Sequence, residues 1–151
     1  MVKICNEIYN NEHIETKYGE WFPFKLSSFQ LWSIDALLNN KHSLITAHTG
    51  CGKTVPAEFA IQYYTSIGKK VIYTSPLKAL SNQKCKDFKE KFPNISFGIL
   101  IGDYKDNPEA DVLIMTTEIL KNTLFKKSLS KKTKNNSSNI ENKKNNSLYF
   151  D

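Results

Sequence analysis

The chain has 151 residues, 40% hydrophobic and 12% aromatic. That is enough for one domain with a real core and fits a soluble globular protein. The net charge of +6 says less than it suggests, because residues 126–147 hold seven lysines and one glutamate (7 − 1 = +6), leaving 14 lysines against 14 acids elsewhere.

No apolar run approaches the ~20 residues that span a bilayer. The opening MVKICNEIYNNEHIETKYGE has no apolar stretch of signal-peptide length. A cytoplasmic or nuclear setting without a membrane partner is therefore expected. Cys5, Cys51 and Cys85 are widely spaced and form no C-x-x-C pair. They read as reduced thiols rather than a zinc site or a disulfide framework.

Residues 1–20 read as an irregular lead-in, and residues 21–125 as the folded domain. Ser27 followed by Gln30 gives a capping box. Phe29, Trp32, Ala36 and Leu37 continue it at helical spacing, predicting a helix over 28–39 with Trp32 in the core. Ser43–Ala47, SLITA, is too short and apolar for a helix and reads as a buried strand. A Gly-containing loop follows, then a helical pattern over Thr54–Ile67. Pro56 is tolerable there in the first turn, and Gly68 supplies the stop.

The alternation repeats. Strands are predicted at Lys70–Thr74, Ser96–Ile101 and Asp111–Met115. Helices are predicted over Ala79–Phe92, ended by Pro93, and from Thr117 through Phe125. Uniformly apolar strands alternating with helices predict an α/β fold, a parallel sheet with helices on both faces. Residues 126–147 hold six Asn, seven Lys and five Ser. Such a segment buries too little apolar surface to offset ordering entropy and reads as disordered. Residues 148–151 turn apolar again, as the possible start of another element.

The stretch 44-LITAHTGCGKTVPAEF-59 sets a Gly-rich turn between a predicted strand and a helix, the context of a phosphate-binding loop. Gly50 and Gly52 let the backbone curl so that N–H groups face an anion, and the positive end of the following helix favours it. Lys53 would lie against the β- and γ-phosphates of a nucleotide, and Thr54 would offer its hydroxyl to Mg2+. The strict G-x-x-x-x-G-K-[ST] pattern fails at Ala47.

With Ala47, His48, Thr49, Gly50, Cys51, Gly52, Lys53 and Thr54, the loop A-x-T-G-x-G-K-T resembles motif I of superfamily 2 helicases. Phe24 to Gln30 (F-x-L-x-x-F-Q) resembles their Q-motif region. YTSPLKALSNQK, Tyr73 to Lys84, resembles motif Ia, Gly102–Asp103 the GD element, and MTTEIL, Met115 to Leu120, motif Ib. The last three resemble the exosome-linked DExH-box RNA helicases in particular.

The resemblance implies an incomplete RecA-like P-loop NTPase domain with ATP and Mg2+ as cofactors. It implies single-stranded RNA as partner, held by its backbone, and a link to RNA-degradation machinery. Gln30 would read the adenine edge, with Phe24 packing near the base; a glutamine amide both donates and accepts, as adenine requires. Gln30 equally suits the capping role. Pro76, Leu77, Lys78, Ala79 and Gln83 in motif Ia, and Thr116, Thr117 and Glu118 in motif Ib, would hold RNA phosphates at helix starts. Thr116 equally suits a helix cap. Cys51 lies at a helix N-terminus, where thiols grow acidic, in a slot that tolerates many residues.

Family members also need a D-E-x-H segment and a second RecA-like domain with its arginines. This chain has no Asp-Glu pair and no arginine. LYFD at 148–151 would suit the start of that segment. The chain reads as the front half or so of one helicase domain, with weak nucleotide binding and negligible hydrolysis expected alone. A related DNA helicase and a non-catalytic module binding through the lysine-rich segment remain as alternatives.

Overall fold

The computed structural model describes residues 2–10, 13–134 and 148–150, with side chains through residue 126. The chain divides into two compact units, residues 1–60 and 61–151.

In the first unit, α1 (His13–Tyr18) and a 3-10 turn (Gly19–Trp21) occupy the predicted irregular lead-in. Their rings gather on Phe59, which is fully buried. Tyr18 meets it edge-on at 5.1 Å and Trp21 lies tilted at 5.5 Å. α2 (Ser28–Leu38) opens on the capping box of Ser27 and Gln30. Its buried face is Gln30, Leu31, Ser33, Ile34 and Leu37. Of the predicted face only Leu37 is buried; Phe29, Trp32 and Ala36 are half-exposed.

Trp32 is not a core residue. The N-terminal segment crosses it, with the Glu7 carbonyl accepting from its Nε1 at 3.1 Å and the Tyr9 ring edge-on at 4.8 Å. The Lys3 ammonium sits 4.2 Å from its ring centre. Tyr9 also donates to Asp35 at 3.4 Å. Burial and the neighbouring Asp35 carboxylate push its phenol above the usual range.

The predicted strand Ser43–Ala47 does not form; residues 41–48 carry no regular structure. Leu44 is 91% exposed. An apolar run becomes a strand only where a ladder pairs its backbone, and no ladder among the described residues includes it. α3 follows at Thr54–Ser66, with Pro56 tolerated in its first turn and Gly68 just past its end.

The second unit is a sheet in the order β3-β2-β4-β1-β5. Its strands are β1 (Val71–Ser75), β2 (Phe97–Ile101), β3 (Tyr104–Asp106), β4 (Val112–Thr116) and β5 (Leu148–Phe150). Of the predicted strands, the three that form, β1, β2 and β4, are parallel, and the unpredicted β5 joins them in parallel; the register pairs Val71 with Val112, Phe97 with Val112, and Val71 with Leu148. β3, for which no strand was predicted, returns antiparallel on β2 with Ile101 opposite Tyr104. Gly98 lets that return pass close, since a Cβ there would collide with the Asn107 carbonyl oxygen.

Besides the end of α3, the unit holds α4 (Lys78–Lys91) and α5 (Thr117–Lys134). The β1–α4–β2 and β4–α5–β5 crossovers run in opposite directions across the sheet. α4 packs against β1, β2 and β4. On the α4 face Phe88, 1% exposed, packs edge-on to Tyr73 at 5.3 Å and stacks on Phe97 at 6.3 Å. α5 continues through Lys134, into the segment whose composition reads as disordered. The rest of that segment, residues 135–147, lies outside the described residues, as does Asp151.

Candidate nucleotide loop and nucleic-acid edge

The loop before α3 takes its shape from two glycines. Gly50 and Gly52 have φ of 85° and 86°, left-handed values that side-chain-bearing residues adopt at a cost. Gly52 is constrained a second time, because a Cβ there would lie 2.6 Å from Gln30 Nε2.

Gln30 is 4% exposed and works at both ends. Its Oε1 accepts from the Ser27 N–H at 2.8 Å, and its Nε2 donates to the Gly52 carbonyl at 3.1 Å. Ser27 and Gln30 signal the cap by type and spacing, but no local pattern signals the second bond, which ties the start of α2 to the loop. Phe24 is 47% exposed, its ring 5.9 Å from that of Phe22.

The Lys53 ammonium is exposed and turned onto the loop itself, donating to the Ala47 carbonyl at 2.6 Å and the His48 carbonyl at 2.8 Å. The Cys51 thiol donates to the same His48 carbonyl at 2.9 Å. His48 thus contributes its main chain, and Thr49 is exposed beside it. Thr54 begins α3, which runs for 13 residues. The donor set suits a polyphosphate: an exposed ammonium, glycines that free the backbone, and the start of a long helix. For Mg2+ the start of α3 offers the Thr54 hydroxyl. That fits an ion held mainly by phosphate and water. Among the described residues no group of three or more His, Cys, Asp or Glu is arranged to hold a metal.

The motif Ia and Ib residues belong to the second unit and lie together at the carboxyl ends of its strands. The register sets Ser75 of β1 beside Thr116 of β4. Pro76, Leu77, Lys78 and Ala79 therefore leave the sheet next to Thr117 and Glu118, all exposed. Gln83 is exposed one turn further along α4, while Thr116 is 6% exposed.

The start of α4 is held from below. Ser75 Oγ lies 2.7 Å from Ser81 Oγ, and Ser75 donates to the Leu77 carbonyl at 3.1 Å. Gly102, at the end of the parallel strand β2, has φ of 54°. The Lys78 ammonium rests over it, 2.7 Å from where a Cβ would stand. The predicted GD element and motif Ia thus meet through one side chain.

A family model described as "DEAD/DEAH box helicase" matches residues 27–142. The Saccharomyces cerevisiae protein "Antiviral helicase SKI2" is 42% identical over 126 residues, 83% of this chain and 10% of that protein. "DExH-box ATP-dependent RNA helicase DExH9" of Arabidopsis thaliana is 49% identical over 105 residues, 70% of this chain and 10% of that protein. Human "Exosome RNA helicase MTR4" is 45% identical over 110 residues, 73% of this chain and 10% of that protein. The chain thus spans about a tenth of the length of these curated relatives. A solved structure of a hypothetical ATP-dependent RNA helicase from Sulfolobus tokodaii shares the fold, with a TM-score of 0.52 and 21% identity. It covers 78% of this chain and 37% of its own. The chain belongs to the DEAD/DEAH box helicase family, with a sequence similar to the Ski2- and Mtr4-type DExH helicases.

Proposed function

We propose that this chain is the ATP-binding front part of a first RecA-like domain, and that the parent protein couples ATP hydrolysis to unwinding of, or translocation along, RNA. The observation that carries the reading is the loop: Lys53 within reach of two left-handed glycines at the start of α3, in a chain of the helicase family. Lys53 would exchange its carbonyl partners for β- and γ-phosphate oxygens. Thr54 would hold Mg2+, with Gly50, Cys51 and Gly52 curled around the phosphates. ATP supplies the phosphoryl group whose transfer to water drives the parent protein. Phe24 presents an exposed ring for the base. Gln30 keeps one amide N–H beyond its bond to Gly52, and that hydrogen serves adenine.

RNA is the reading supported by the relatives, two of which are named RNA helicases, and by the shared carboxyl edge. There Lys78, the start of α4 and the start of α5 face the same side, suited to a phosphodiester backbone. Such contacts track the backbone and read little sequence. A partner in RNA degradation is the reading suggested by the relative named for the exosome, in the cytoplasm or nucleus. No described helix is long and apolar enough to cross a membrane.

The test is titration of a fluorescent ATP analogue with Mg2+ into the chain and its Lys53→Ala form. Binding by the parent chain and its loss in Lys53→Ala, with circular dichroism unchanged, is the expected result. Equal binding by both forms would refute the assignment of the loop.

A further inference from the structure

A cleft of about 410 Å3 lies between α4 and the β2–β3 hairpin, outside every role given above. Its floor is Cys85 and Ile99. Both are nearly inaccessible, and burial raises the Cys85 thiol above its ordinary range, so it stays a neutral S–H. Charge on the walls cancels. Lys89 pairs with Asp106 at 3.6 Å, and Lys86 approaches Glu90 at 4.0 Å.

Tyr104 stands at the rim, 58% exposed. Directly opposed residues of an antiparallel pair share a face. The pairing of Tyr104 with Ile101 and of Asp106 with Ile99 therefore turns Tyr104 toward α4. It also lies two positions beyond Gly102, where the Lys78 ammonium rests.

We propose that this cleft receives one unstacked base of the single strand held at the carboxyl edge, with Tyr104 as the ring on which that base stacks. The proposal rests on the reading of that edge as the RNA-binding surface. Matched ammonium and carboxylate groups disfavour a phosphate here. They suit a neutral, planar group carrying both donors and acceptors, as every nucleobase does. Unstacked bases settle on aromatic side chains in the same way in many single-strand binders. Tyr104 follows the phosphate-facing Lys78 closely enough for one strand to serve both: backbone at the lysine, base at the ring.

The experiment measures binding of labelled oligouridylate, and of its abasic ribose-phosphate counterpart, to the chain and to Tyr104→Ala, Tyr104→Phe and Lys78→Ala. Tyr104→Ala is expected to weaken oligouridylate binding roughly 5- to 150-fold, the range of base-stacking losses. Its affinity for the abasic strand and its salt dependence should not move, and Tyr104→Phe should restore binding. Lys78→Ala should weaken both strands and flatten the salt slope. Unchanged oligouridylate binding by Tyr104→Ala, or equal losses on both strands, would overturn the stacking role and leave the edge intact. A parent chain that binds neither strand would overturn the reading of the edge and this proposal with it.

Discussion

Replacing Gln30 by alanine removes both ends of a buried amide at once. The Ser27 N–H loses the acceptor at 2.8 Å that completes its capping box, and the Gly52 carbonyl loses the donor at 3.1 Å. A helix cap contributes about 1 kcal/mol. A neutral hydrogen bond contributes about 1 kcal/mol net, and more when its partner is left buried and unpaired. The expected loss is therefore about 2–3 kcal/mol, a fall in Tm of roughly 4–12 °C for a chain of this size. Gln30→Glu separates the two ends. Its carboxylate still accepts from Ser27, and glutamate is a good capping-box residue, but it sets an oxygen against the Gly52 carbonyl. Thermal unfolding of both variants, with fluorescent-nucleotide titration alongside, provides the assay. Gln30→Ala should lose both stability and nucleotide affinity, whereas Gln30→Glu should retain α2 and lose mainly affinity. A Gln30→Glu chain matching the parent in both measurements would refute the tie between α2 and the loop.

Other expectations concern the second unit and its chemistry. Phe88→Ala should cost about 3–5 kcal/mol in a urea titration, because a fully buried ring against Tyr73 and Phe97 leaves a cavity. Gly98→Ala should cost roughly 1–3 kcal/mol by forcing the Asn107 carbonyl away from β2. Lys89→Ala should change stability by less than about 1 kcal/mol, since its pair with Asp106 is half-exposed on both sides. Burial raises the folded Cys85 thiol above its unfolded value of 9.0, so its contribution is intact below that pH and fades as pH climbs through the folded value. Alkylation at mildly alkaline pH should accordingly reach Cys51 and Cys5 before Cys85, as peptide mapping by mass spectrometry would show. Phosphate release from ATP by this chain should stay at background, because its sequence carries no Asp-Glu pair to position a water.

Local signals explain what was legible. The extents of α2, α3 and α4 and of strands β1, β2 and β4 are readable because each carries a local mark: the capping box opens α2, Gly68 follows α3, Pro93 follows α4, and the strands are uniformly apolar runs. SLITA misled because apolarity measures a wish for burial, not the presence of a ladder partner. β3 left no trace because Tyr-Lys-Asp is exposed at an edge and is held there by register with β2. The N-terminal segment over Trp32 depends on one main-chain carbonyl, one ring and one ammonium, none of which has a periodicity. In the loop, glycines, Lys53 and Thr54 announced themselves by type. The direction of the Lys53 ammonium did not, because it is set by two carbonyls that carry no sequence signature.

That direction makes the loop a competitor for its own lysine. An incoming anion does not find an unmet charge; it must outbid two main-chain oxygens. The donor is an ammonium, so each existing bond to a carbonyl is already charge-assisted, on the order of 1.5–3 kcal/mol net. A singly charged visitor would gain little from the exchange, whereas a polyanion repeats the gain at every oxygen it presents. The loop would thus rank its guests by how many charges they bring, a threshold that chloride or acetate in the surrounding solution would fail to cross.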